Sequence, residues 1–165
     1  MRIAASLFLG LILMAAAGRT ALAVEHTQKD GLFSLDVPAE WHWVEYPQDI
    51  IITYPDGQTM AIDIEISPSG KLSPAQMKKA LKEANDKMIS EGVLAHHGTV
   101  IDNKEIKVDG VYATRLDFKT APPQNVTVAY IAFFNKGYAF TITYGSTKPK
   151  TLMLLDDVAA SFKFR

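Results

Sequence analysis

The sequence has no cysteine in its 165 residues. That excludes disulfides, thiolate metal ligands, a cysteine nucleophile and a lipid anchor carried on a cysteine at a cleavage point. Several other signatures are missing. No G-x-S-x-G nucleophile elbow occurs, and "SPSGK" at residues 67–71 lacks the first glycine of a phosphate-binding loop. Histidine is sparse, with four residues, and no H-x-x-x-H spacing appears. Neither charge dominates: 17 basic residues stand against 18 acidic ones. No basic stripe marks a nucleic-acid interface. Carboxylates are plentiful, but no pair stands out as acid and base, so no catalytic residue is assigned. Beyond the first residues, no run is long and apolar enough to span a bilayer.

What is present begins with a leader. Arg2 precedes an apolar run from Leu7 to Ala17, and "GRTALA" ends in small residues at Ala21 and Ala23. A short basic start, an apolar stretch and an A-x-A site predict a signal peptide over residues 1–23, cleaved after Ala23. The expected mature chain, residues 24–165, is of a size for one domain. It is exported, periplasmic or secreted, with no membrane span. Two basic residues, Arg2 and Arg19, leave with the leader, so the mature chain carries three more acidic than basic residues.

The hydrophobic pattern gives the elements. "LFSLDV" alternates, with Phe33, Leu35 and Val37 on one face, and Pro38 ends it. "WHWVEY" and "IIITY" follow as short strands, the latter stopped by the turn Pro55-Asp56-Gly57. "MAIDIEI" alternates most cleanly, placing Met60, Ile62, Ile64 and Ile66 inward. "SPAQMKKALKEANDKMISEG" reads as a helix: Ser73 caps it, Pro74 opens it, Gln76 completes a capping box and Gly92 stops it. Met77, Ala80, Leu81, Ala84 and Met88 form its apolar stripe.

Two hairpins follow. The first turns at Asp109-Gly110 and the second around Asn135-Lys136-Gly137. The strands of the second are apolar on both faces and therefore central. A final helix, "KTLMLLDDVAASF", turns Leu155, Val158, Ala159 and Phe162 inward. Strands joined by short turns pair antiparallel, and two helices cover them. The fold class is α+β, an antiparallel β-sheet with helices packed on its faces.

The spacing F-x-x-x-x-P-x-x-W over Phe33, Pro38 and Trp41, the hairpin "YIAFFNKGYAFTITY" and the ending "AASFKF" resemble the PsbP-like family of PsbP- and DcrB-related proteins. The resemblance covers about residues 30–165. It implies an antiparallel sheet with helices on its faces, and a role in binding and stabilising partner proteins. It transfers no catalytic residues. The missing cysteine removes the DcrB style of anchoring.

Candidate sites are few. His96 and His97, with Asp102 nearby, form the best metal candidate, for zinc; Gly98 would supply the bend that two adjacent histidines need. Calcium has only dispersed carboxylates such as Asp63, Glu65, Asp156 and Asp157. Trp41, Trp43, Tyr112 and Phe133 could line an aromatic surface or pocket. Packing is the plainer role for Trp41. Three classes of function stay open in order: a binder of a partner protein or envelope component, a binder of a small apolar ligand or metal ion, and an enzyme.

Overall fold

A computed structural model describes residues 22–66 and 72–165. Residues 1–21, with Ala21 and nearly all of the expected signal peptide, lie outside the described residues. So does the loop over residues 67–71.

Seven strands form one antiparallel sheet in the order β3-β4-β5-β9-β8-β7-β6. These are β3 (His42–Glu45), β4 (Asp49–Thr53), β5 (Thr59–Ile66), β6 (Thr99–Val108), β7 (Val111–Lys119), β8 (Thr127–Asn135) and β9 (Tyr138–Ser146). The two strands with apolar residues on both faces, β8 and β9, sit inside the sheet as their pattern requires. Asp109 and Gly110 both take positive φ, 46° and 80°, as do Lys136 and Gly137, at 50° and 88°. These are the left-handed pairs that a two-residue hairpin needs to match strand twist.

One sheet face is covered by α2 (Pro149–Ala160) and by a second, three-stranded sheet of order β1-β2-β10. Its strands are β1 (Ala23–Thr27), β2 (Phe33–Pro38) and β10 (Lys163–Phe164). The hydrophobic pattern does not predict this small sheet, because residues 24–30, "VEHTQKD", are polar. The reason is physical. β1 is almost wholly exposed and carries no alternation; its partner β2 supplies the order. Gln28 shapes the connection: its side-chain oxygen accepts from the Asp30 and Leu32 N–H groups at 3.0 and 3.2 Å.

Between these layers lies the main core. Phe33 stacks on Phe162 at 4.6 Å and Phe133 on Phe140 at 5.2 Å, with Ile52, Ile62, Ile142 and Leu155 fully buried around them. The sequence motifs now have causes. Ser161 Oγ accepts from the Asp36 N–H at 2.9 Å, fixing the end of α2 to β2, while Phe162 enters the core. The expected inward set of α2, Leu155, Val158, Ala159 and Phe162, is buried throughout.

The other face carries α1 (Pro74–Lys87), which packs on β7 and β8. The capping box is present: Gln76 N–H donates to Ser73 Oγ, and Ser73 N–H to Gln76 Oε1 at 2.9 Å. Two expectations fail here. Gly92 does not stop the helix; a π-helical turn, Met88–Val93, and a 3-10 turn, Leu94–His96, carry the chain past it. The stop falls at His97, with φ 58°. The stripe is also rotated. Leu81 and Asn85 are the buried positions of α1, and Ala84 is exposed. On β5, Ile66 points to solvent at 78% exposure, because the strand ends beyond the core.

Candidate functional site

The four aromatics do not share a surface. Phe133 is wholly buried in the main core. Trp41 closes that core at its rim, with its N–H bonded to the Pro38 carbonyl at 2.9 Å and its ring edge-on to Tyr54 at 5.0 Å. Trp43 stacks on His26 at 5.2 Å, and its indole N–H donates to Glu45 Oε1 at 2.9 Å. Tyr112 is on the opposite face of the sheet, since its neighbour Ala113 is the cross-strand partner of Phe133. The four therefore do not form one pocket: Phe133 and Trp41 belong to the main core, Trp43 packs against its edge, and Tyr112 lies on the other face of the sheet.

His96, His97 and Asp102 are likewise apart in role. His96 ends the 3-10 turn and His97 adopts the left-handed conformation. Asp102 is engaged by Lys104 Nζ at 2.7 Å and by the Asn103 N–H at 2.9 Å. Among the described residues no three His, Asp or Glu side chains gather as a metal site. Gly98 serves packing: a Cβ there would lie 2.9 Å from the Lys119 carbonyl oxygen.

A polar cluster missed by sequence reasoning lies between β7 and α2. Arg115 Nε donates to both oxygens of Asp117 at 2.9 and 3.0 Å, and its Nη2 pairs with Asp156 at 2.9 Å. Tyr144 donates its hydroxyl to Asp156. Burial pushes the Tyr144 phenol up, and the Asp156 carboxylate that it bonds pushes it further, so it stays protonated. Burial works against the charge on Arg115, but the Asp117 and Asp156 carboxylates outweigh it and hold the guanidinium firmly charged. These four groups are committed to one another. The arrangement ties α2 to the sheet and leaves no free base or nucleophile.

The α1 face is different. Lys78, Lys82 and Asn85 follow one another at i, i+4 and i+7 on the helix. They face Tyr112 and Thr114 of β7 across a cleft of about 460 Å³. Asn103 and Glu105 of β6 form its far wall. Lys78 Nζ lies 4.9 Å from the Tyr112 ring centroid and 3.1 Å from Glu105. Asn85 Nδ2 donates to Asn103 Oδ1 at 2.6 Å. Asn85 signals itself in the sequence only as a polar residue four positions after Leu81, on a face that should be apolar.

The helix leaves the β3–β5 end of this face half open. Val44, Ile51 and Ala61 are cross-strand neighbours in a row, with Val44 45% exposed. Beside them Asp49 pairs across the strands with Asp63. Burial, then the hydrogen bond and field of Asp49, then Glu65, raise the Asp63 carboxyl above its ordinary range.

Against known proteins, this arrangement is similar to that of cyanobacterial PsbP from Synechocystis. The TM-score is 0.61 at 16% identity, over 93% of this chain and 99% of that one. The fold is PsbP-like. A Bacteroides thetaiotaomicron protein matches with a TM-score of 0.61 at 14% identity, over 87% of this chain and 49% of that one, so the PsbP-like chain spans about half of it. A Pseudomonas aeruginosa protein of unknown function matches at 0.50 and 10% identity, over 87% of this chain and 97% of its own. At such identities the likeness is one of fold. No family model matches the chain, and no curated protein matches it. Among the described residues no helix is long and apolar enough to cross a membrane.

Proposed function

We propose that the protein is an exported accessory module that binds a partner protein or envelope component and performs no chemistry of its own. Residues 1–23 deliver it, and residues 24–165 act as one mature domain in the periplasm or outside the cell. The observation that carries this reading is the half-open end of the seven-stranded sheet. There an apolar row, Val44, Ile51 and Ala61, lies beside the acidic group Asp49, Asp63 and Glu65 on a rigid antiparallel surface. The chemistry suits a partner with a small apolar face and a basic flank. The PsbP-like fold supports the reading, because its resemblance implies binding rather than catalysis. The committed state of the Arg115 cluster supports it as well.

The test is affinity capture from the protein's own cell envelope, run in parallel with a Val44→Arg, Ala61→Arg variant. A partner held by the wild type and lost by the folded variant is the expected result. A partner held equally by both overturns the assignment of this surface, and no partner for either overturns the function.

A further inference from the structure

Two buried oxygens in the described fold have no hydrogen-bond partner, Asn85 Oδ1 and Thr114 Oγ1. Both belong to the cleft under α1. Their residues are 4% and 5% exposed. An unpaired buried polar group costs about 1–3 kcal/mol, so folded proteins rarely keep two at one cleft without a use for them. One of the two is an acceptor only, and the other is a hydroxyl that can donate or accept.

The rim above them is rich in lysine. Lys78, Lys79, Lys82 and Lys104 line the cleft, each in a surface ion pair, with Glu105, Glu83, Asp86 and Asp102 in turn. The lysines are held in place by carboxylates rather than buried in them. Lys82 pairs with Asp86 at 2.8 Å and Lys104 with Asp102 at 2.7 Å, while their side chains remain 75% and 49% exposed. The Tyr112 ring adds a flat apolar wall. At about 460 Å³ the space is in the range of small-molecule sites.

We infer that the cleft between α1 and the β6–β7 hairpin binds a small hydroxylated anion, a monosaccharide carrying one carboxylate or phosphate group. A sugar hydroxyl donates to Asn85 Oδ1 and another meets Thr114 Oγ1. The ring lies against Tyr112, and the anionic group stays at the rim with Lys78, Lys82 and Lys104. A bare anion would leave the floor unpaired. A neutral sugar would gain nothing from the exposed lysine ammonium groups, which exchange surface carboxylates for a bound anion. The inference goes beyond the partner-binding reading and uses a different part of the α1 face.

Titration of the isotope-labelled protein, followed by amide resonances, tests it with four probes: glucuronate, glucose 6-phosphate, glucose and inorganic phosphate. Glucuronate or glucose 6-phosphate should bind at millimolar concentration or below and move the amides of Asn85, Asn103 and Thr114. Glucose and inorganic phosphate should each bind about tenfold more weakly, the factor for one lost hydrogen bond or charge contact. Thr114→Val, which keeps the side-chain shape, should cost about tenfold in affinity. Lys82→Met, at an exposed position, should cost about three- to tenfold and flatten the salt dependence. Failure of both sugar anions to move these amides overturns the inference. So does equal binding of inorganic phosphate or glucose, or unchanged affinity in the folded Thr114→Val protein.

Discussion

On the sheet face that meets α2, Phe33, Phe133, Phe140 and Phe162 interlock and every charged group of the Arg115 cluster has a partner. On the face that meets α1, two helix positions are buried and one of them is an asparagine. There the floor holds unpaired oxygens and part of the sheet is left half open. The same strands build both faces, because alternate residues point to opposite sides. The tight packing is thus concentrated on one side, and the other keeps polar groups and sheet surface uncovered. A core that is close-packed and fully paired has little to offer a ligand, whereas a thin layer with unmet polar groups does.

The largest expected effects come from the two layers themselves. Phe133→Ala should lose about 3–5 kcal/mol, the range for deleting a wholly buried phenyl group. Leu81→Ala, in the thinner layer, should lie near the lower end of the range for leucine, about 2–3 kcal/mol. Urea midpoints at constant slope give both numbers. Equal losses would erase the contrast between the faces.

Next in size is the Arg115 cluster. Arg115→Met leaves Asp117 and Asp156 facing each other without their cation, and should cost about 2–3 kcal/mol. Added salt should restore part of that loss by screening the two carboxylates. A neutral effect in thermal unfolding would show that the cluster is solvated rather than a tie between α2 and β7.

Much of the α2 face was legible in the sequence and much of the α1 face was not. Phe33, Leu35 and Val37 alternate in plain view, and Leu155, Val158, Ala159 and Phe162 fall at helical spacing. Asp109-Gly110 names its own turn. By contrast, β1 has no pattern of its own because its order comes from β2. The helix stripe was misplaced by one position because Ala84 is apolar and Asn85 is not, yet packing buries the asparagine. Gly92 looked like a stop, but the chain continues helically past it with a changed hydrogen-bond pattern. The Arg115 cluster joins residues 115, 117, 144 and 156, and no local spacing links them. Single residues such as Trp41 and Tyr112 announced aromatic surface without saying which side of the sheet each would take.

Smaller effects sharpen the comparison on the α1 side. Thr114→Val removes a hydroxyl that has no partner in the fold, so it should be neutral or raise stability by up to about 1 kcal/mol. A clear loss would mean that the hydroxyl already has a structural duty.

Asp63→Asn should act in a pH-dependent way. The fold favours protonated Asp63, so its contribution is lost as pH rises through its raised pKa, and the ionised group opposes folding at neutral pH. The asparagine variant should therefore melt higher than wild type at pH 7, by less than about 1 kcal/mol given its partial exposure. That advantage should vanish as the pH falls below the ordinary carboxylate range. An advantage that grows on acidification would contradict the assigned direction.

The most direct test of the division between the faces is native-state hydrogen exchange, resolved by residue, under conditions where exchange reports opening free energy. Amides of α2 and of β8 and β9 should exchange only through global unfolding. Those of α1 should open at a clearly lower free energy, well before the sheet does. Equal protection in α1 and α2 would contradict the account, because the α1 layer would then be as firmly part of the core as the aromatic side.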